Sequence, residues 1–258
     1  MSAIVIIPSR YKSTRFPGKP LSLLLGKPMI QHVFERAKTA RLVKEVFVAT
    51  DSKDIYDAVA GFGGNPIMTS ERHESGTDRI AEAAGAIRKS GCSPDIVVNV
   101  QGDEPMIMPE MIDEVVSLME DRRAGIGTLV KRIEDQSEIY DPNVVKAVFN
   151  KDGYALYFSR SPVPFHRDLF SSEGYKSGGG TSELFMFKHI GIYAFRTAVL
   201  DRFSKLPPSR LEGIEKLEQL RALENNIAIK VRETIHETIG VDTPMDLKKV
   251  EKCLSIFS

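Results

Sequence analysis

The amino-acid sequence predicts an α/β fold: a doubly wound, mostly parallel sheet with a β-hairpin excursion in its second half. Three observations carry that expectation. Short apolar, β-branched runs stop abruptly at Pro, Asp or Gly; helical patterns separate them; and two later runs lie only a few turn-forming residues apart.

The first run, Ala3-Ile4-Val5-Ile6-Ile7, ends at Pro8 and is apolar without alternation, as a central strand covered on both faces should be. Val46-Phe47-Val48-Ala49 closes at Thr50-Asp51, and Ile96-Val97-Val98-Asn99-Val100 closes at Gln101-Gly102-Asp103. Met29 to Ala40, Ile55 to Ala60 and Thr77 to Lys89 carry helical spacing, which between strands implies right-handed crossovers. Val144 to Phe149 and Ala155 to Phe158 flank Asn150-Lys151-Asp152-Gly153, a hairpin signal. A polar stretch with Gly178-Gly179-Gly180 follows and reads as a mobile loop. His189 to Phe195 reads as a strand, Leu211 to Asn225 as a helix, and Thr238 to Val241 as a short last strand before Asp242. No linker or internal repeat appears, so residues 1–258 are expected to form one domain, with the excursion around 140–210.

Composition narrows the class. A chain of 258 residues with 42% hydrophobic and 27% charged content has the balance of a globular core and argues against disorder. The 35 cations are matched by 35 acids, which removes the broad basic footprint that nucleic acid or an anionic membrane surface would need. No apolar run approaches the roughly 20 residues that span a bilayer, and Met1-Ser2-Ala3 leads straight into a strand. A cytoplasmic protein without membrane insertion is expected. Cys92 and Cys253 are too few and too far apart for a disulfide framework or a zinc cluster.

The loop after the first strand, Pro8 to Pro20, holds Arg10, Lys12, Arg15 and Lys19, with Lys27 soon after, and no acid. Ligands of open α/β sheets sit outside the carboxyl ends of the strands, where this loop lies. Pro17, Gly18 and Pro20 stiffen it, so Arg10 and Lys19 can converge on a phosphate at little ordering entropy. A solvated basic loop at a sheet edge is the bland alternative. Gly61-Phe62-Gly63-Gly64-Asn65-Pro66 fails the dinucleotide fingerprint, Gly26-Lys27-Pro28 lacks the rest of a P-loop, and His73-Glu74 has no second His at the zincin spacing.

Asp103 ends the third strand in Gln101-Gly102-Asp103-Glu104-Pro105, and Asp242 ends the last in Gly240-Val241-Asp242-Thr243-Pro244. Two carboxylates from one sheet edge make a hard oxygen site suited to magnesium rather than zinc. Asp-x-Pro is also an ordinary turn opener, and Asp242 could cap a following helix. Ser75-Gly76-Thr77-Asp78-Arg79 reads as a helix start capped by Ser75 or Thr77, which leaves Arg79 needing a functional account.

Taken together, Ile7 to Pro20, Ser75 to Arg79, Asn99 to Pro105, Tyr157-Phe158-Ser159-Arg160, His189 to Tyr193, Leu217 to Arg221 and Val241 to Pro244 resemble the cytidylyltransferases that activate 3-deoxy-D-manno-octulosonate (Kdo). The matches run in order over nearly the whole chain. Ser9 departs from the usual Ala of that family, and Ser171 to Phe187 matches no family pattern. The resemblance implies a nucleotide-diphospho-sugar transferase-like fold and the reaction of CTP with Kdo to CMP-Kdo and pyrophosphate, serving lipopolysaccharide synthesis in a magnesium-dependent homodimer. It also implies roles: Pro8, Arg10, Lys19, Ser75 and Arg79 on the nucleotide, Asp103 and Asp242 on magnesium, Gln101 between the substrates. Arg160, His189, Tyr193, Glu218 and Gln219 would line the sugar pocket.

The chemistry of those residues agrees with these expectations. Kdo carries a carboxylate, and Arg160 is a suitable cation, though a salt bridge at the hairpin edge would also explain it. Alternation along His189 to Phe195 places His189, Gly191 and Tyr193 on one face and Ile190, Ile192 and Ala194 on the other. Glu218 falls on an otherwise apolar helical arc with Leu211 and Ile214 and wants a partner, whereas Lys216 and Arg221 read as solvated charges. An 8-amino Kdo analogue or a sialic acid as acceptor, and an inactive nucleotide-binding module, stay open at this level.

Overall fold

The computed structural model describes residues 1–12, 16–167 and 185–256. The glycine run 178–180, the loop cation at 15 and most of the unmatched stretch 171–187 lie outside the described residues.

The three apolar runs form the strands expected: β1 (Ala3–Ser9), β4 (Val43–Thr50) and β6 (Ile96–Asn99). A small separate sheet, β2 (Leu23–Leu24) with β3 (Lys27–Pro28), follows the basic loop. The crossover helices are α1 (Met29–Lys38), α2 (Lys53–Gly61) and α3 (Gly76–Lys89), with edge strand β5 (Pro66–Met68) between the last two. After β6 come α4 (Pro109–Ser117), β7 (Ile126–Arg132) and α5 (Ser137–Tyr140). The expected hairpin is β8 (Lys146–Phe149) with β9 (Ala155–Ser159), and the strand around His189 is β10 (Phe187–Arg196). The chain then runs through α6 (Thr197–Phe203), α7 (Arg210–Glu215), α8 (Gln219–Glu224), β11 (Ile229–Glu233) and α9 (Pro244–Ile256).

The main sheet has the order β11-β7-β10-β6-β1-β4-β5, with β8 and β9 branching from β10. β6, β1, β4 and β5 pair in parallel, as do β11 and β7. β10 alone on this path runs against its neighbours, pairing Tyr193 with Asn99 of β6 and Ala194 with Gly127 of β7. The unbroken apolar run of β1 has its reason here. Val5 and Ile7 enter a layer with α1, α2 and α4, while Ile4 and Ile6 enter the opposite layer with α3, α6 and α8.

Two expected elements differ. Thr238 to Val241 is extended but not a strand, because Val241 reaches the sheet by one backbone bond, its N–H donating to the Asp103 carbonyl at 2.8 Å, rather than by a ladder. The helix expected over Leu211 to Asn225 is broken at Lys216, whose φ of 54° is left-handed and ends α7. The break folds α8 back against α7. Arg221 is consequently buried and forked by Glu212 at 2.6 and 2.8 Å, not solvated. α9 is held by its own apolar patch, where Val250 and Leu254 join Val241, Leu24 and Met29. That patch brings the chain beyond β11 back to the loop after β1.

Candidate active site

A cleft of about 290 Å3 opens at the carboxyl ends of β1 and β6. Its walls are Pro8, Ser9 and Arg10 from β1 and the loop, Lys19 and Pro20 from the loop's far end, His73 to Gly76 and Arg79 at the start of α3, Gln101 to Asp103 after β6, and Asp242. Eight residues expected on the nucleotide and metal side or between the substrates therefore meet in one place: Pro8, Arg10, Lys19, Ser75, Arg79, Gln101, Asp103 and Asp242.

Close backbone approach makes this possible. A Cβ on Gly102 would fall 2.8 Å from the Pro8 carbonyl oxygen, and one on Gly76 would fall 3.3 Å from the Pro8 ring. Gly102 is thus required by contact between the ends of β1 and β6. Gly18, with φ of 69°, donates its N–H to the Tyr11 carbonyl and starts the 3-10 turn Lys19–Leu21. The turn buries Pro20 and aims Lys19 inward.

Lys19 is the electrostatic centre of this cleft wall. Its ammonium donates to Asp103 Oδ2 at 2.8 Å, to the Val241 carbonyl at 2.7 Å and to Asp242 Oδ1 at 3.5 Å. Two carboxylates separated by more than a hundred residues therefore converge on one cation. Asp242 is not consumed as a helix cap. Thr243 does that work, its hydroxyl accepting from the Asp246 N–H at 3.3 Å and donating to the Asp246 carboxylate at 2.8 Å.

The basic loop is less acid-free than its sequence reads. Lys12 meets Glu71 at 3.4 Å and Lys27 meets Glu35 at 2.8 Å, both on the surface. Opposite the loop, Ser75 caps α3 by accepting from the Asp78 N–H at 3.1 Å, so the positive end of a 14-residue helix faces the cleft. Arg79 is buried and fixed by Asp51 at 2.7 Å and by the Thr69 hydroxyl at 2.6 Å.

Of the residues expected on the sugar, Gln101 lines the cleft, and His189, Tyr193 and Glu218 lie near one another outside its lining. Gln101 donates from Nε2 to the Gly191 carbonyl of β10 at 3.4 Å. On that strand the His189 and Tyr193 rings pack at a tilt with centroids 5.3 Å apart, and the His189 ring also packs edge-on against Phe158 at 5.0 Å. Glu218, just before α8, accepts the Thr77 hydroxyl and lies 3.4 Å from Arg221. Gln219 is the buried first residue of α8.

Burial tunes these groups. It holds the His189 imidazole down to about 3, so the ring is neutral at physiological pH. The Thr128 hydroxyl donates to the Ile192 carbonyl at 2.7 Å, so toward His189 it accepts, which places the ring proton on Nε2 at 2.9 Å and leaves Nδ1 an acceptor. Burial and the nearby Glu218 charge raise the Tyr193 hydroxyl above its ordinary value, keeping it a donor. Burial likewise raises Glu218, partly offset by the hydrogen bonds from Thr77 and Ser75 and by Arg221. Glu104, beside Asp103, is pushed up to about 8 by burial and by the Asp103 charge.

Arg160 lies apart from the cleft lining. Its Nε donates to the Glu215 carbonyl at 2.7 Å and its Nη1 to the Pro142 carbonyl at 2.7 Å, stitching the hairpin to the α7–α8 junction. Residues to which the sequence reading gives no site role include His73 and Glu74 in the cleft wall, and Asp51 and Thr69 behind Arg79. Their only sequence signal is position at a strand end or helix start.

Comparison with known proteins follows the same outline. A family model described as Cytidylyltransferase matches residues 4–235. The 3-deoxy-manno-octulosonate cytidylyltransferase of Thermodesulfovibrio yellowstonii is 54% identical over 261 residues, covering all of both chains. That of Geobacter sulfurreducens is 54% identical over 254 residues, covering 97% of this chain and 98% of the relative. Among solved structures, a CMP:2-keto-3-deoxy-manno-octonic acid synthetase complexed with CTP superposes with a TM-score of 0.89 at 42% identity over the full length of both. A 4-diphosphocytidyl-2C-methyl-D-erythritol synthase, at 11% identity and TM-score 0.64, shares the fold alone. With the cleft and its residues in place, the chain belongs to the cytidylyltransferase family, among the 3-deoxy-manno-octulosonate enzymes.

Proposed function

We propose that this enzyme transfers CMP from CTP to the anomeric hydroxyl of Kdo, releasing pyrophosphate and supplying CMP-Kdo for lipopolysaccharide synthesis. The observation that carries the reading is the full-length match to Kdo cytidylyltransferases, joined to a cleft that gathers Arg10, Lys19, Gln101, Asp103 and Asp242. Arg10, Lys19 and the α3 N-terminus face the triphosphate, offsetting charge on the departing pyrophosphate. Pro8 and Ser75 shape the nucleotide wall, and Arg79, held rigid by Asp51 and Thr69, backs it.

On the acceptor side, Gln101 bridges the cleft and β10, and His189 Nδ1 and Glu218 accept from sugar hydroxyls while Tyr193 donates. Gln219 completes that side at the start of α8. Arg160 would meet the Kdo carboxylate by exchanging one of its carbonyl partners. Orientation of the anomeric hydroxyl in line with the α-phosphorus then supplies most of the rate, since such transfers need positioning more than covalent help.

The donor set of Asp103 and Asp242 fits magnesium. Both offer hard carboxylate oxygens, partly exposed to the cleft and already converging on a positive charge. Bound there, the ion would neutralise phosphate charge and polarise the α-phosphoryl group. The exposed apolar side chains Leu156, Phe165 and Phe185 around the hairpin support a homodimer seated on the 140–210 excursion. One domain over 1–258 and a cytoplasmic location complete the reading. Among the described residues no helix is long and apolar enough to cross a membrane.

The test is a product assay with CTP against Kdo and its 8-amino analogue side by side. CMP-Kdo and stoichiometric pyrophosphate are expected from Kdo. Preference for the analogue would reassign the acceptor, and no pyrophosphate with either would leave a binding module.

A further inference from the structure

Glu104 follows Asp103 in the turn after β6. Its N–H donates to the Gln101 carbonyl at 3.3 Å, and its own carbonyl accepts from Ile107 at 3.0 Å. The side chain faces β10. A Cβ on Gly191 would stand 3.8 Å from Glu104 Oε1 and 4.0 Å from Gln101 Cγ. A carboxyl and a carboxamide thus flank bare backbone in the strand that carries His189 and Tyr193. Thr238 hydrogen-bonds the Glu104 carboxyl, yet Oε2 is buried with no hydrogen-bond partner among the described residues. A residue present only for packing would be apolar here, or would have that oxygen paired.

We propose that Glu104 is a further sugar-binding residue, its carboxyl, whose Oε1 faces Gly191 and whose Oε2 lacks a partner, hydrogen-bonding a hydroxyl of the acceptor sugar beside Gly191. The proposal rests on the reading that the β10 wall holds Kdo. A carboxyl can donate or accept toward a hydroxyl, but it disfavours a second carboxylate. Glu104 therefore sets the polyol edge of the sugar on this side and leaves its acid to a cation elsewhere.

The test compares wild type with Glu104→Gln and Glu104→Met, varying each substrate and magnesium in turn. Glu104→Met fills the volume without hydrogen bonding and should raise the Kdo KM about tenfold, leaving the CTP KM within about twofold. Glu104→Gln, which keeps an oxygen of the same shape, should stay within about threefold of wild type for Kdo. Gly191→Ala adds a methyl at ordinary contact distance from both side chains, so it blocks the same gap without disturbing the fold. It should raise the Kdo KM alike, and it carries the test if the Met variant does not fold. An unchanged Kdo KM in these variants would overturn the proposal. So would a parallel rise in the CTP KM or in the magnesium requirement, which would mean that Glu104 acts through Asp103. Absence of CMP-Kdo from wild type would instead defeat the reading of the site itself.

Discussion

Replacing Lys19 by Met isolates the charge balance at the cleft. The substitution keeps the apolar stem and deletes an ammonium that lies 2.8 Å from Asp103 and 3.5 Å from Asp242. At an effective dielectric between about 20 and 80, Coulomb's law gives each pair a gross attraction between about 1 and 6 kcal/mol. The two carboxylates are 36% and 50% exposed, so screening and the desolvation of Lys19 leave a net loss of about 1–2 kcal/mol. For a chain of this size that corresponds to a melting temperature lower by about 2–8 °C. Thermal denaturation of both proteins, each with a chelator and with millimolar magnesium, checks the reasoning. Magnesium should recover more stability in Lys19→Met than in wild type, because a divalent ion replaces the lost ammonium between the two carboxylates. A variant that melts with wild type and ignores magnesium would show that Asp103 and Asp242 do not depend on a shared cation.

Asp103→Asn and Asp242→Asn should each lower kcat at least about a hundredfold with the fold intact, checked by initial rates beside circular dichroism. Arg160→Ala should raise the Kdo KM and spare the CTP KM. It should also lower the melting temperature, since the Glu215 and Pro142 carbonyls lose their donor. His189, held near 3 against an ordinary 6.5, takes up its proton in the unfolded chain first as pH falls. Its contribution is thus complete above pH 6.5 and is lost toward pH 3 at about 1.4 kcal/mol per unit. Denaturant titrations should show a shallower acid slope for His189→Gln, and the His189 ring signal in NMR should not titrate between pH 8 and about 5. Gly102→Ala should unsettle the cleft, because its methyl meets backbone at 2.8 Å; a calorimetric loss of CTP affinity measures it.

How much of this was legible in the sequence follows the range of the interactions. β1, β4 and β6 announce themselves because they are buried on both faces, and their ends mark the cleft. β7 and β11 do not, since Ile126-Gly127-Thr128 and Ile229-Lys230-Val231 break the apolar pattern, and parallel pairing between them is a long-range event. The helix break at Lys216 depends on a left-handed residue that is not glycine, which no local rule singles out. Asp103 was readable as a carboxylate shortly after a strand, whereas the strand expected before Asp242 is absent; the meeting of both on Lys19 was not readable, because Lys19 and Asp242 are 223 residues apart and the apolar patch under α9 brings their segments together. For the same reason the loop cations looked unpartnered: Lys12 and Lys27 find their acids only once the chain has folded.

The reversed direction of β10 has a consequence for how this enzyme can change. Its pairing of Tyr193 with Asn99 sets β10 one ladder step from β6, roughly 5 Å of hydrogen-bonded backbone, so on the proposed reading the acceptor side and the nucleotide side are one strand apart. Spacing between the reacting partners is thereby built into main-chain geometry. On that reading, side-chain changes on either strand would alter what is bound without moving the two strands apart.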